Sequence, residues 1–258
     1  MRRRGPGAST LTNAASEPHV QELCRFMAML GVRIEGIGTS RLTVHGSAPF
    51  GGGEFRFDED FHEIATFLAL GAITGGEVAV RNGAPALFPL IDRTFAKFGV
   101  DIEHRDGWSQ ARCPGGLKVQ APFTGNLLPK VEAAPWPYVP ADLLPIFIAL
   151  GVRAQGQVLF WNKVYDGALH WTGELARFDA MTFSSDPHRI VTFGGRPLRP
   201  AVVDSPYIIR VAIALLMVAA SIPGRSVIRH AAPIRRAHPR FVENLCSLGA
   251  QVAWVEDD

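Results

Sequence analysis

The chain has 258 residues, 47% hydrophobic and 19% charged, with 26 basic against 24 acidic side chains and a formal charge of +2. That composition builds a core and excludes wholesale disorder, and the near-even charge balance gives no reason to expect a nucleic-acid partner. Cys24, Cys113 and Cys246 form no Cys-x-x-Cys pair and the eight histidines show no metal-ligand spacing, so no disulfide framework, metal or cofactor is expected and a reducing, cytoplasmic compartment fits.

Met1-Arg2-Arg3-Arg4 has the charge of a leader peptide, but Gly5-Pro6-Gly7-Ala8 follows where an apolar stretch would be needed, so secretion is not expected. STLTN (9–13) reads as a strand. EPHVQELCRFMAMLGVRIEG (17–36) reads as a helix, a glycine turn and a strand, with Val20, Leu23, Cys24, Met27 and Leu30 at helical spacing. Ser16 is placed to cap this helix and Pro18 to sit in its first turn. SAPFGGGEFRFDED (47–60) reads as a linker; its Gly51-Gly52-Gly53 lacks the Lys and Ser/Thr of a phosphate loop. A boundary near residue 57 makes 1–57 a partial unit of a first domain plus linker, and 58–258 a second domain.

Three later segments share one grammar of apolar helix, short turn and β-rich strand: FLALGAITGGEVAV (67–80), IALGVRAQGQVLF (148–160) and VAASIPGRSVIR (218–229). Each leads to a second helix and a further strand, containing GVDI (99–102), FDAM (178–181) and GAQV (249–252) in turn. Val78 to Ile102 is 24 residues, Val158 to Met181 is 23 and Val227 to Val252 is 25. LKVQA (117–121) and RIVTF (189–193) are expected to close hairpins. Counting back 24 residues from Ile34 reaches Thr10, so the front of the chain carries the later part of the same unit. A chain that starts in mid-unit is the expectation for a truncated or split larger protein. Strands alternating with helices predict an α/β (α+β) fold. Helices over 64–74, 142–151 and 208–221 are apolar all round and are expected inside. Ile208 to Ile222, 15 residues containing Arg210 and stopped by Pro223-Gly224, is short for a membrane span, so no membrane partner is expected.

NAASEP (13–18), LGVRIEGIGT (30–39), the strand ending in His45-Gly46, DFHEIATFLALGAITGGEV (60–78), PWPYVPAD (135–142) and RRAHPRFVENLCSLGAQV (235–252) follow one another at set spacings. Together they resemble the UDP-N-acetylglucosamine 1-carboxyvinyltransferases, the enolpyruvyl transferases of peptidoglycan synthesis and cell wall biogenesis. The resemblance covers nearly the whole chain but only about the second half of the family's length. It implies repeated βαβαββ units around buried helices, and transfer of enolpyruvyl from phosphoenolpyruvate to a sugar hydroxyl with release of phosphate. The related shikimate enzyme shares fold and chemistry; NAASEP favours the nucleotide-sugar branch.

Such a reaction needs a base, an acid and cations for carboxylate and phosphate. The resemblance makes Asp142 the catalytic base, with Ala141 where the family has Thr; a helix N-cap is the other role for this Asp. It makes Arg210 a phosphoenolpyruvate-binding arginine, with Ile208 where the family has Asp. It places Arg236 at the same catalytic subsite, with Arg235 reversing a charge and Ala237-His238 replacing Gly-Tyr; a solvated basic loop is the alternative. Val164 corresponds to the residue whose backbone contacts the acceptor sugar. The family's Glu-Asn-Arg becomes Asp166-Gly167-Ala168, so one arginine of the site is lost, with Lys163 the nearest cation. In the linker, Asp60-Phe61-His62-Glu63 has also lost an arginine. The family's Lys-Asn pair, its loop with a reactive Cys and most nucleotide contacts belong to the first half and have no counterpart here; Cys24 and Cys246 are expected in the core.

The expected function is that of an enolpyruvyl transferase-like protein, incomplete as this chain. Its partners would be phosphoenolpyruvate, a nucleotide sugar or related nucleotide, and a separate N-terminal half. A non-catalytic remnant and one subunit of a split enzyme stay open as alternatives. Asp142, Arg210 and Arg236 are expected to face one cleft.

Overall fold

The computed structural model describes residues 7–46, 51–123, 125 and 127–255. β1 (Ala8–Thr12), α1 (Pro18–Met29), β2 (Ile34–Glu35) and β3 (Arg41–His45) form a front unit whose antiparallel sheet has the order β1-β3-β2. α2 (Phe61–Thr74), β4 (Val78–Arg81), α3 (Pro89–Ala96), β5 (Asp101–Arg105) and β6 (Trp108–Arg112) follow, with the order β4-β6-β5. The next unit is β7 (Lys130–Ala133), α4 (Leu144–Arg153), β8 (Gly156–Asn162), a 3₁₀ helix (His170–Phe178), β9 (Thr182–Asp186) and β10 (Arg189–Gly194), ordered β7-β8-β10-β9. β11 (Val202–Asp204), α5 (Ile209–Ala220), β12 (Val227–Arg229), α6 (Pro233–Ala237) and α7 (Phe241–Ser247) end the described chain. β7 pairs with β8, and β11 with β12, in parallel, so α4 and α5 are crossover helices.

The core is made of the three apolar helices. α2 buries every residue from Phe61 to Ile73 except Glu63. Ile146 to Leu150 of α4 and Ala212 to Leu215 of α5 are wholly enclosed. The Asp60 side chain accepts from His62 N at 2.9 Å to start α2, and Gly75, at φ 72°, ends it. No described helix is long and apolar enough to cross a membrane.

Several expectations need correction. Ser16 does not cap α1; its hydroxyl donates to Trp136 O at 3.4 Å, and Glu17 holds the cap position without a side-chain bond. β5 is closed by β6, not by LKVQA, because Asp106 (φ 53°) and Gly107 (φ 77°) turn the chain in two residues. Residues 117–119 instead run beside the start of β8, where Val119 N donates to Gln155 O and Gln155 N to Leu117 O. GAQV (249–252) joins no sheet among the described residues. Cys246 is exposed, since short α7 turns only Phe241 and Leu245 inward; Cys24 is buried. β7 and β11 were not signalled by the sequence grammar.

Each central helix rests directly on its own sheet. A Cβ on Gly151 would lie 2.7 Å from the Phe160 ring and 2.9 Å from Thr192 Oγ1; one on Gly194 would lie 2.2 Å from the carbonyl oxygens of Gly151 and Ala154. Gly151→Ala is therefore expected to cost about 1–3 kcal/mol through overpacking, roughly 2–10 °C in Tm. Gly194→Ala should cost more, because backbone must move. Gly115→Ala, whose Cβ would enter open space, should leave Tm within about 2 °C. Scanning calorimetry of the three variants checks the order.

Candidate functional site

Ala133 and Asn162 are in register at the carboxyl ends of the parallel strands β7 and β8. The loop feeding α4 and the turn after β8 therefore leave the same sheet edge. The Trp136 ring in that loop lies 6.0 Å from the Phe61 ring at the start of α2. Arg210, in the first turn of α5, reaches Asp60 at the start of α2. The leading ends of α2 and α5 and the loop before α4 thus gather on one face, outside the carboxyl ends of parallel strands, where α/β folds place ligands.

The face is organised by a chain of polar groups. Arg210 Nη1 donates to His238 Nε2 at 2.9 Å, and Nη2 lies 3.7 Å from Asp60 Oδ2. His238 Nδ1 lies 3.5 Å from Glu63 Oε2. Asp60 Oδ1 accepts from His62 N and sits 3.1 Å from His62 Nδ1. Burial pushes the Asp60 carboxyl up, but the hydrogen bond and charge of His62, the charge of Arg210 and the His62 backbone N–H together hold it well below the usual carboxylate range. Arg210 keeps 14% of its side-chain surface exposed, so a cation in an apolar helix is held by neighbours rather than by water. Beside this cluster, a groove of about 520 Å³ runs between α1 and α2, lined by His19, Glu22, Arg25, Asp58 and His62 among others.

The other expected site residues stand apart from this chain of contacts. Asp142 lies exposed in a 3₁₀ turn (Ala141–Leu143) leading into α4. Arg236 is exposed on α6, two residues ahead of His238, and has no hydrogen-bond or ion-pair partner among the described residues. Val164 is 40% exposed on a turn built by Asn162, whose buried Oδ1 accepts from Val164 N at 2.9 Å and Tyr165 N at 3.1 Å. Lys163 is committed elsewhere, 3.1 Å from Glu132 and 4.2 Å above the Trp161 ring. It is therefore not free to stand in for the arginine that the resemblance puts at Ala168.

Sequence reasoning missed Asp60, Glu63, His238 and Asn162 as organisers. An Asp just before an apolar helix was the available signal for Asp60. It also missed that Tyr138, Tyr165 and Tyr207 are all exposed, the last at φ 61° just before α5; these are all the tyrosines of the chain. A second chain of contacts has the look of a catalytic triad: Asp92 Oδ2 to His104 Nε2 (2.9 Å), and His104 Nδ1 to Ser109 Oγ (2.6 Å). Ser109 is fully buried and also accepts from Asn82 Nδ2, so this chain pins α3, β5, β6 and the turn after β4 together and offers no nucleophile.

A family model described as EPSP synthase (3-phosphoshikimate 1-carboxyvinyltransferase) matches residues 3–245. The UDP-N-acetylglucosamine 1-carboxyvinyltransferase of Borrelia garinii subsp. bavariensis is 33% identical over 250 residues, and that of Bradyrhizobium diazoefficiens 34% over 251. Each match takes in 97% of this chain and 58% of the relative, so the chain spans under two thirds of the length of these relatives. Among solved structures, the enolpyruvyl transferase NikO from Streptomyces tendae matches with a TM-score of 0.80 at 22% identity, covering 99% of this chain and 58% of that one. An EPSP synthase from Acinetobacter baumannii matches at 0.67 and 15% identity, covering 94% and 57%. The fold is theirs.

Asp60→Asn is expected to lower stability at neutral pH by about 0.5–2 kcal/mol through the weakened cap, and to leave Arg210 without its counter-charge. Because the folded state holds the Asp60 carboxyl below its unfolded value, its contribution is present above about pH 4 and fades as pH falls. The difference between wild type and variant in urea unfolding should therefore shrink from pH 7 to pH 3.

Proposed function

The chain belongs to the EPSP synthase (3-phosphoshikimate 1-carboxyvinyltransferase) family, and from that premise we propose that residues 58–258 form the phosphoenolpyruvate side of an enolpyruvyl transferase, with 1–57 the end of a neighbouring domain. The observation that carries this reading is Arg210. A cation set in the first turn of an apolar helix, mostly buried, is costly unless it is paired, and its anionic neighbour Asp60 stands 3.7 Å off, beyond hydrogen-bond length. Only one of its N–H donors is spent in a hydrogen bond among the described residues, which leaves a planar fork suited to carboxylate or phosphate.

In this reading Arg210 and Arg236 hold the carboxylate and phosphate of phosphoenolpyruvate. Asp142, exposed on its loop, takes the proton of the acceptor hydroxyl as the new C–O bond forms. The Asn162 turn presents the Val164 backbone to the acceptor, a UDP-N-acetylglucosamine or related nucleotide. Phosphate leaves in the second stage as the C–O bond to it breaks, the new methyl group gives a proton back and the double bond re-forms; the methyl group itself arises in the first stage, when the methylene carbon gains a proton. The acid for that step, and most nucleotide contacts, would come from the part of the relatives' length that this chain does not span, supplied as a separate N-terminal half. A non-catalytic reading is favoured by one observation: Lys163 is tied to Glu132 and Trp161, so this lysine does not replace the arginine lost at Ala168.

Calorimetric titration with phosphoenolpyruvate is expected to show binding that Arg210→Met weakens by about 10–100-fold, the loss of charge-assisted hydrogen bonds. Phosphate release with UDP-N-acetylglucosamine should be unmeasurable for the chain alone and appear when the missing part is supplied, then vanish in Asp142→Asn. No binding of phosphoenolpyruvate by either preparation would overturn the reading, and turnover near ~1 s⁻¹ by the chain alone would overturn its incompleteness.

A further inference from the structure

We propose that His238 is the positioning residue for Arg210: a neutral imidazole, oriented by Glu63, that holds the guanidinium in one rotamer ready for an anion. This rests on the reading that Arg210 receives phosphoenolpyruvate. Guanidinium can only donate, so the 2.9 Å contact from Arg210 Nη1 requires His238 Nε2 to be a bare acceptor. The proton of the neutral ring is then on Nδ1, the atom that faces Glu63 Oε2 at 3.5 Å. The tautomer thus follows from the two neighbours together.

The ring has little freedom to do otherwise. Its side chain is 3% exposed. It packs on Phe241 at 5.9 Å between ring centres, and Phe241 packs on Phe67 of α2 at 5.5 Å. His238 N donates to Ile234 O at 2.8 Å, and Phe241 N to His238 O at 3.1 Å. The imidazole is therefore anchored by α2, by the α6–α7 corner and by α5 through Arg210. Asp60 closes the other side of the guanidinium at 3.7 Å, beyond hydrogen-bond length, so it supplies charge while His238 supplies direction. Holding a long arginine in place before the ligand arrives removes a rotamer entropy that binding would otherwise lose. Arg236 shares the short α6 with this corner, so one anchored frame carries both cations of the proposed subsite.

Three proteins test the assignment: wild type, His238→Phe, which keeps a ring against Phe241 but has no acceptor, and His238→Gln, whose Oε1 restores one. Nitrogen-detected NMR of the wild-type imidazole should show the Nδ1–H neutral tautomer, and the Arg210 side-chain N–H groups should exchange slowly. In His238→Phe that exchange should quicken and the dissociation constant for phosphoenolpyruvate rise at least about tenfold. His238→Gln should recover both to within about threefold. An Nε2–H tautomer, or unchanged Arg210 exchange in His238→Phe at unaltered Tm, would overturn the proposal. Should His238→Phe fail to fold, the wild-type tautomer and the Arg210 exchange in Glu63→Gln, expected to quicken as the ring loses its orientation, decide it. If wild type binds no phosphoenolpyruvate, the functional reading fails, while tautomer and exchange still decide whether His238 positions Arg210.

Discussion

Three helices that are apolar on every side can satisfy their surfaces only against one another and the sheets beside them. α2, α4 and α5 do this, and the arrangement fixes much else. α4 lies so close to its strands that Gly151 and Gly194 have no room for a methyl group. Arg210 beside Asp60, and Trp136 beside Phe61, bring the leading end of α5 and the loop before α4 to the leading end of α2. These leading ends, with Asp60, Glu63 and Arg210, then share one face. That polar cluster is a by-product of how the core closes.

Within that face the electrostatics are arranged in series. Glu63, His238, Arg210, Asp60 and His62 follow one another at 3.5, 2.9, 3.7 and 3.1 Å across two helices and a corner. Each buried charge is matched, which offsets the cost of taking it from water, and the Asp60 carboxylate does double service as helix cap and counter-charge. Asp142, Val164 and Arg236 are exposed by contrast. They are open to a ligand or a second polypeptide, while the Arg210 guanidinium lies against His238 and Asp60.

The repeat was legible in the sequence because a fixed spacing and all-round apolar helices survive substitution. The strands beginning at Val78, Gly156 and Val227 stand where the spacing put them. The hairpin after β5 was misread because Asp106-Gly107, a strong two-residue turn signal, was passed over for a more apolar run further on. β7 and β11 are only 4 and 3 residues long, too short to show a period. At the site, Arg210 stood out as a lone charge in an apolar run. His238 had been noticed only as a departure from a family pattern, and Glu63 and Asp60 as the end of a linker. Their roles depend on side chains up to 178 positions apart meeting in space, as Asp60 and His238 do around Arg210, and no spacing rule carries that.

Every sheet draws its strands from a single unit, while the central helices pack across units. During synthesis the consequence is a delay. β4, β5 and β6 can pair as soon as they emerge, since their contacts are local. α2 cannot: its far surfaces wait for α5, which ends at Ala220. At about 5–20 residues per second the wait is on the order of ten seconds. Over that interval a largely apolar helix sits on a finished sheet, bare at first and then only partly covered by α4, the kind of surface that holdase chaperones grip. Ribosome pausing after Thr74 would lengthen the exposure of the same helix that later makes the core.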